Sequence, residues 1–263
     1  AKGYDRLWPA ELHVVGKGIT RFHCVIWPAM LLSAGLALPR EVWAHGYVQW
    51  EGTKLSKTAG TAVSLEDAIE RHGPDALRYF LLREVGFEAD GNFTWERFDE
   101  RYTADLADGF GNLASRSLAM IGKYRAGVVP ASGESTLLDE AGVGAVESYA
   151  RAMDALDLRG GAEAAWELVS AANLYIQQVA PWGLAKQGKD AELDTALGAL
   201  ARVLYRLAVM AAPFLPAKAQ ALWQALGLAG KAGEAPWTSL EAPPVTGAAV
   251  LKPEILFPKP APA

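Results

Sequence analysis

Most of the chain after Thr94 repeats apolar side chains every three or four residues. Side chains at this spacing share one face of an α-helix, and that face must be buried against another element. The first segment carries the repeat on Tyr102, Leu106, Phe110, Leu113, Ile121 and Tyr124, and later helical patterns cover about 143 to 158, 162 to 179, 190 to 211 and 216 to 227. The sequence therefore predicts an all-α bundle in this region.

Glycine and proline interrupt these helical patterns. Gly109 and Gly111 each cost the first helix roughly 1 kcal/mol relative to alanine, so we expect another helix to approach the backbone closely there. Pro181 interrupts the passage between two later helical patterns. From 229 to 263 Gly, Ala and Pro dominate, which predicts an extended tail after the bundle.

The pattern before Thr94 is different. Leu12 to Val15 has the pattern of a buried strand and Gly16-Lys-Gly18 that of a turn. A helical repeat follows on Ile19, Phe22, His23, Ile26, Trp27 and Met30. Val42 to Trp50 is rich in aromatic and β-branched residues, which favours a second strand. The chain is therefore predicted to be mainly α with an α/β start.

Length and composition limit the class of protein. With 263 residues, 51% hydrophobic and 21% charged, the chain can bury a sizeable core in one large or two smaller domains. Its apolar runs end well before the roughly 18 residues that a membrane span needs. The N-terminus shows no signal-peptide pattern. We therefore expect a soluble, cytoplasmic protein with no membrane partner.

Cysteine content and charge narrow the possibilities further. Cys24 is the single cysteine, which excludes an internal disulfide and a cysteine zinc cluster, and we expect it in the core. The net charge of −5 argues against bulk coating of nucleic acid. A specific RNA partner, met by a local basic patch, stays possible.

A segment with two lysines separates the run that ends at Trp50 from a helical pattern that opens at Ser64, a candidate N-cap. Lys54-Leu-Ser-Lys-Thr58 is predicted to be a loop. Ammonium groups at the end of a buried strand can meet charge that develops on polyphosphate oxygens. The alternative for this segment is an ordinary exposed turn.

Two earlier features also have simpler interpretations. Gly16-Lys-Gly18 can be a plain turn between a strand and a helix, and His23 can be a core histidine whose hydrogen bonds are satisfied.

Several of these segments resemble a known enzyme family. His45-Gly46, Gly52-Thr-Lys-Leu-Ser-Lys-Thr58 and Gly60 are similar to the Lys-Met-Ser-Lys-Ser signature of class I aminoacyl-tRNA synthetases. Leu55 replaces the Met, and Thr58 replaces the last Ser. The chain also resembles the methionyl-tRNA synthetase subfamily in three segments, His13-Val-Val-Gly16-Lys17, Arg21-Phe-His23 and Trp27-Pro-Ala-Met30.

This resemblance implies roles for individual residues. The residues implied for ATP, which arrives with Mg²⁺, are Gly16, His45, Lys54, Ser56 and Lys57. Lys57 and Lys54 are the expected catalytic groups, because they stabilise charge on the departing pyrophosphate. Methionine is expected against Ile19 and His23, with Phe22 and Trp27 packing beside them. The family usually has Asp where this chain has Gly18, so another group holds the ribose or ATP binding is weaker.

A second set of residues lies in the predicted bundle. Asn112 and Arg116 are four apart on one helical face, and Trp182 lies at a helix break. Without further information, Asn112 and Arg116 are interpreted as a polar pair on the surface and Trp182 as a core tryptophan. Gly111-Asn112-Leu-Ala-Ser-Arg116 and Ala180-Pro181-Trp182, however, resemble the anticodon-binding helices of the same subfamily. The resemblance implies that Trp182 stacks on an anticodon base while Asn112 and Arg116 read base edges.

The resemblance covers about residues 11 to 227 and implies an architecture. Residues 1–62 are expected to end a Rossmann-like class I catalytic domain, and 63–93 to form a connecting helical segment. Residues 94–228 are the expected anticodon-binding bundle, and 229–263 the tail, where a segment around Ile255-Leu-Phe257 could dock. The implied function is ATP-dependent activation of methionine and its transfer to tRNA(Met).

The chain is expected to be only part of such an enzyme. No His-x-Gly-His signature, zinc-bearing insertion or preceding nucleotide-binding half occurs in the sequence. We therefore expect a C-terminal half that holds no zinc, partners an N-terminal catalytic half, and is inactive alone. The alternatives are a stand-alone tRNA-binding module without catalysis and another class I aminoacyl-tRNA synthetase.

Lys57→Ala, made in the complete enzyme, is predicted to slow amino-acid activation far more than it weakens methionine binding. A donor used mainly in the transition state affects the rate, and removing one such donor costs about 3 kcal/mol. ATP–pyrophosphate exchange measures the rate, and a methionine titration measures the affinity. An unchanged rate would mean that the lysine loop has been assigned wrongly.

Overall fold

A computed structural model describes residues 3–50, 52–54, 64–85, 89–131, 136–252 and 254–259. The chain divides into two compact units. The first contains residues 1–63 and 84–94, and the second contains residues 64–83 and 95–263. The predicted fold class is confirmed, because an α/β start precedes a helical bundle.

The first unit begins with a strand, a helix and a second strand. Its elements are α1 (Tyr4–Leu7), β1 (Leu12–Gly16), a helix with 3-10 (Lys17–Ile19), π (Phe22–Ile26) and α (α2, Trp27–Ser33) portions, and β2 (Glu41–His45). β1 and β2 pair in parallel, with Gly16 opposite His45. Parallel strands need a crossover connection, which the helix supplies. The carboxyl ends of both strands therefore lie side by side.

A second small sheet completes the first unit. It contains β3 (Val48–Trp50), β4 (Thr53–Lys54) and β5 (Gly91–Phe93) in the order β4-β3-β5. β4 is antiparallel and β5 is parallel to β3. Gly52 has a φ of +76°, which glycine adopts without a Cβ clash and which lets the chain reverse between β3 and β4.

This reversal corrects two sequence predictions. The run from Val42 to Trp50 forms two strands instead of one, and Lys54 belongs to β4 instead of a loop. Only the backbone of Lys54 is described. Ser56 and Lys57 lie in the range 55–63, outside the described residues.

Much apolar surface of the first unit is exposed. Val14 is 60% exposed and Met30 63%, and Cys24 is exposed as well. The predictions of a buried strand over Leu12 to Val15 and of a core cysteine are therefore wrong. Within the described residues, only one side of β1 and one side of the following helix are covered.

The second unit is built from helices packed in a bundle. They are α3 (Leu65–His72), α4 (Pro74–Glu84), α5 (Trp95–Arg101), α6 (Asn112–Tyr124), α7 (Leu137–Asp154), α8 (Leu158–Val179), α9 (Pro181–Gln187), α10 (Asp190–Ala211) and α11 (Pro216–Ala225). The predicted cap is confirmed, because the Ser64 side chain accepts a hydrogen bond from the Asp67 amide at 3.3 Å. None of the described helices is both long and apolar enough to cross a membrane.

Helix α10 is the centre of the bundle. Nearly every residue from 196 to 211 is buried, and α6, α7, α8, α9 and α11 all pack against it. Its two arginines have partners on other elements. Arg202 binds both carboxylate oxygens of Asp139, at 2.6 and 2.9 Å. Arg206 donates to the carbonyls of Leu240 and Glu241, at 2.8 and 3.1 Å.

A π-helix, Tyr102–Gly111, joins α5 to α6. Side chains of α8 donate to its carbonyls: Trp166 to that of Asp105 at 3.0 Å, and Asn173 to that of Gly109 at 3.2 Å. A Cβ on Gly109 would lie 3.6 Å from Val169 of α8. The predicted close approach of another helix therefore occurs at Gly109.

The start of α7 differs from the prediction. The helix begins at Leu137 instead of near residue 143, because Thr136 and Asp139 form a reciprocal capping box. Gly142 obscured this start in the sequence. A Cβ on Gly142 would lie 2.7 Å from Nη1 of Arg206, so the glycine makes room for that guanidinium.

The C-terminal residues are docked on the bundle. Two 3-10 turns, Ala232–Glu234 and Trp237–Leu240, follow α11. Near the end, Leu256 and Phe257 are 6% and 3% exposed, whereas Ile255 is 71% exposed. The anchor of the predicted tail is therefore formed by Leu256 and Phe257.

Phe257→Ala is predicted to release the segment 254–259, whereas Ile255→Ala is not. The ring of Phe257 packs edge-on against Tyr102 and Phe110 and lies beside Gly111. Truncating a buried phenylalanine costs roughly 3 to 5 kcal/mol. Nitrogen-15 relaxation of the amides in this segment, measured for both variants, reports the release, because a released segment gains motion on the picosecond to nanosecond timescale. Wild-type order in Phe257→Ala would show that the ring does not hold the segment.

Candidate functional site

The carboxyl ends of β1 and β2 bring Gly16 and His45 together. A Cβ on Gly16 would lie 3.9 Å from ring carbons of both His45 and Tyr47. His45 Nδ1 is 2.8 Å from the Gly46 carbonyl oxygen. Because a carbonyl oxygen only accepts, Nδ1 carries a proton, and Nε2 is the acceptor in the neutral ring. Ligands of parallel α/β sheets bind at this edge.

At Gly18, next to this edge, a side chain would need the Tyr47 side chain to shift. A Cβ there would lie 1.9 Å from the Tyr47 hydroxyl oxygen and 3.2 Å from Cζ of the same ring. Tyr47 therefore occupies the space that an aspartate at position 18 would need. Gly18 and the placement of Tyr47 therefore depend on each other.

Asp90 joins three segments of the same edge. Its Oδ1 lies 2.5 Å from Lys17 Nζ and accepts from the Tyr47 amide at 2.8 Å. Its Oδ2 accepts from Gln49 Nε2 at 3.0 Å. The Lys17 ammonium and the Tyr47 amide hold the pKa of the Asp90 carboxyl below its ordinary value. Since the carboxylate form is stabilised, these contacts persist at neutral pH and are lost in acid as the pH falls through the lowered pKa.

Sequence reasoning missed Asp90. Its position beside Lys17 depends on the parallel pairing of β3 with β5, which no short-range pattern reveals. An acidic residue directly before Gly91-Asn-Phe93 was the available signal.

His23 lies in a cluster of four rings with Trp8, His13 and Trp27. His13 Nδ1 and His23 Nε2 are 2.8 Å apart, within hydrogen-bond distance. The Trp27 ring lies 5.2 Å from His13, nearly parallel to it, and 4.9 Å from His23. Trp8 meets both His13 and Trp27 edge-on. His23 is thus a half-buried, hydrogen-bonded residue of an aromatic cluster.

The other residues predicted to border methionine are more open. Ile19 is 48% exposed and Phe22 59%. Trp27 packs beside His23 as predicted, but Phe22 is largely exposed. Within the described residues, no three His, Cys, Asp or Glu side chains form a group suited to hold a metal ion.

The predicted RNA-reading residues lie on two helices that pack together. Asn112 and Arg116 are half-buried on α6, and Trp182 belongs to α9, which contacts α6. The predicted helix break is confirmed: α8 ends at Val179, and Pro181 begins α9, where its missing amide is tolerated in the first turn. Trp182 is 47% exposed, so it is not a core tryptophan.

Two family models match the chain. Residues 1–118 match the model described as tRNA synthetases class I (M). Residues 126–261 match the anticodon binding domain of methionyl tRNA ligase. Together they cover both compact units.

Individual relatives agree with these models. The methionine–tRNA ligase of Caldanaerobacter subterraneus subsp. tengcongensis is 41% identical over 97% of this chain, which covers 41% of that protein. The Bacillus subtilis ligase is 40% identical over 97% of this chain, which covers 40% of it. Mycobacterium tuberculosis methionyl-tRNA synthetase bound by methionyl-adenylate matches with a TM-score of 0.88 and 36% identity, over 98% of this chain and 52% of that one. The chain thus spans about half the length, or less, of the relatives it matches.

Gly18→Ala is predicted to displace the Tyr47 side chain and to lower the free energy of unfolding of the first unit by about 1 kcal/mol or less, because Gly18 is exposed and the added methyl group meets the tip of that side chain. The cost is expected to shrink in a Tyr47→Phe background, where the nearest atom is gone. A double-mutant cycle isolates this coupling. Hydrogen exchange of the β1 and β2 amides provides the free energies. Equal costs in both backgrounds would show that Tyr47 does not fill the space at Gly18.

Proposed function

The chain belongs to the methionyl-tRNA ligase family, and we propose on this premise that it forms the C-terminal portion of an enzyme that joins methionine to tRNA(Met). The first unit contributes to activation of methionine by ATP, and the second binds the anticodon. The proposed division of the chain is a catalytic part over 1–62, a connection over 63–93, an anticodon-binding bundle over 94–228 and a tail over 229–263. The proposed compartment is the cytoplasm.

In the proposed reaction the methionine carboxylate attacks the α-phosphate of ATP, and pyrophosphate leaves with its Mg²⁺. The methionyl group of the resulting adenylate is then transferred to a hydroxyl of the terminal ribose of the tRNA, and AMP leaves. Lys57 and Lys54 stabilise the charge that grows on the pyrophosphate, and Ser56 donates to the nucleotide. Gly16 and His45 border the nucleotide at the carboxyl ends of β1 and β2. No side chain of this chain has to act as a nucleophile.

Ile19 and His23 form part of the methionine wall in this proposal. A thioether favours soft, aromatic surroundings, and the ring of Trp27 lies 4.9 Å from His23. The exposed apolar side chains of the first unit support a covering partner. Phe22, Val25, Met30 and Leu32 are 59 to 64% exposed, and a contiguous apolar surface marks an interface. The proposed partner is the N-terminal half of the same catalytic domain.

One observation carries the RNA part of the proposal: the half-exposed indole of Trp182 on α9, against the helix that bears Asn112 and Arg116. Unstacked bases of an RNA loop lie on aromatic faces, and amide and guanidinium groups read their edges. Trp182 therefore stacks on one anticodon base while Asn112 and Arg116 contact base edges.

Two alternatives predict different activities. A stand-alone tRNA-binding module would bind the anticodon loop without supporting catalysis, and another class I synthetase would activate a different amino acid. ATP–pyrophosphate exchange with methionine, run with and without a supplied N-terminal half, separates them. Methionine-dependent exchange only with both halves supports the proposal. Exchange with another amino acid, or none with both halves, contradicts it.

Trp182→Ala is predicted to weaken binding of a methionine-tRNA anticodon stem-loop by about tenfold, because stacking of one base on an aromatic ring is worth roughly 1 to 3 kcal/mol. The variant should also prefer that stem-loop less strongly over one with a changed anticodon. Trp237→Ala is the matched control, since Trp237 is also 47% exposed but stacks on Tyr149. The measurement is a pair of titrations at one stated salt concentration.

Circular dichroism confirms that both variants fold. Equal binding of the two loops by the wild-type chain would contradict anticodon reading by this face. The same conclusion follows if Trp237→Ala weakens the cognate loop as much as Trp182→Ala does.

A further inference from the structure

We propose that His13 is a positioning residue that fixes the ring orientation of His23 and couples the tautomer of His23 to its own. The inference rests on the proposed function, in which His23 borders the bound methionine. Its physical basis is the 2.8 Å contact between His13 Nδ1 and His23 Nε2.

This contact requires one proton shared between two imidazole nitrogens. One nitrogen must donate and the other must accept. If both rings were protonated, both nitrogens would be donors and the bond would be lost. The tautomers of the two rings are therefore coupled: His23 carries its proton on Nδ1 if His13 donates, and on Nε2 if His13 accepts. A hydrogen bond at one nitrogen of a histidine sets which nitrogen is protonated.

The surrounding rings restrict how the pair can move. Trp27 lies nearly parallel to the His13 ring, at 5.2 Å and 19°, and also contacts His23, four residues earlier on its own helix. Trp8 packs edge-on against Trp27 at 5.6 Å, and its indole donates to the Ala37 carbonyl at 3.0 Å. A rotation of His23 would therefore break the bond to His13 and disturb its packing on Trp27.

His13 is suited to this role by its place in the fold. It lies on β1, whose pairing with β2 fixes the backbone, whereas His23 lies on the π portion of the following helix. A strand residue thus holds a residue of the helix that borders the proposed methionine site. Groups whose rotamers are fixed by such supporting bonds bind ligands in one geometry.

Nitrogen-15 NMR of the histidine-labelled chain tests the bond directly. The chain has four histidines, and the two others are bonded elsewhere, His45 to the Gly46 carbonyl and His72 to Asp99. His13→Leu is expected to shift the His23 ring signals and leave those of His72 unchanged. His13→Asn should restore the wild-type signals, because the amide of asparagine places a donor and an acceptor near the position of Nδ1. His13→Gln, whose amide lies one methylene further out, should not.

Methionine affinity is then measured with the chain joined to the rest of the catalytic domain. His13→Leu and His13→Gln are expected to weaken methionine binding about three- to tenfold, the effect of losing one neutral hydrogen bond. His13→Asn should stay within about twofold of wild type. His72→Gln serves as the control that alters a histidine of the second unit. If His13→Leu fails to fold, the comparison of Asn with Gln provides the same test.

The outcomes separate this inference from the proposed function. Unchanged His23 signals in both His13→Leu and His13→Gln would overturn the positioning role. Equal loss of affinity in the Asn and Gln variants would overturn it as well, since only packing would then matter. If His23→Ala weakens methionine binding but His13→Gln does not, the inference fails and the methionine wall stands. If His23→Ala has no effect on methionine binding, the assignment of the wall itself is wrong.

Discussion

The bundle depends on covering α10 from every side. A helix whose side chains are buried around its whole circumference needs neighbours in all directions, so the packing of α6, α7, α8, α9 and α11 follows from it. Burial also favours partners for its polar groups: Arg202 binds Asp139 and Arg206 donates to two carbonyls, although Nη1 of Arg206 is buried with no hydrogen-bond partner among the described residues. Burial lowers the pKa of Arg206, because an apolar environment disfavours its charged form. Although α6 and α9 pack against α10, Asn112, Arg116 and Trp182 on these two helices stay partly exposed.

The first unit is organised differently, around contacts at the ends of strands. Asp90 connects Lys17, Tyr47 and Gln49, so the residues around the proposed nucleotide site are held by a carboxylate that the sequence places far from them. The same edge explains why the chain has Gly18 where the family usually has Asp: Tyr47 already fills the space. A motif residue can therefore be missing while the geometry around it stays well defined.

Local signals in the sequence predicted much of the fold. The cap at Ser64 and the full range of α10 follow from patterns within a few residues. The start of α7 was missed because the helical pattern was expected only from about residue 143. Gly142 lies before that point, and the guanidinium for which it makes room belongs to Arg206 of α10. Asp90 was missed, and His13 was named only as part of a motif, for a related cause: their partners are set by strand pairing and by helix packing, which sequence patterns do not encode. The motif residues could be named in advance, but the groups that support them could not.

The docked C-terminal segment has a practical consequence for the design of experiments. Lys259 forms an ion pair with Asp108 at 2.6 Å, and Asp108 precedes Asn112 by four residues, about one helical turn. Any sequence fused after this segment starts close to the face proposed to read the anticodon. A purification tag or fluorophore attached there can therefore mask that face or add its own charge to RNA titrations.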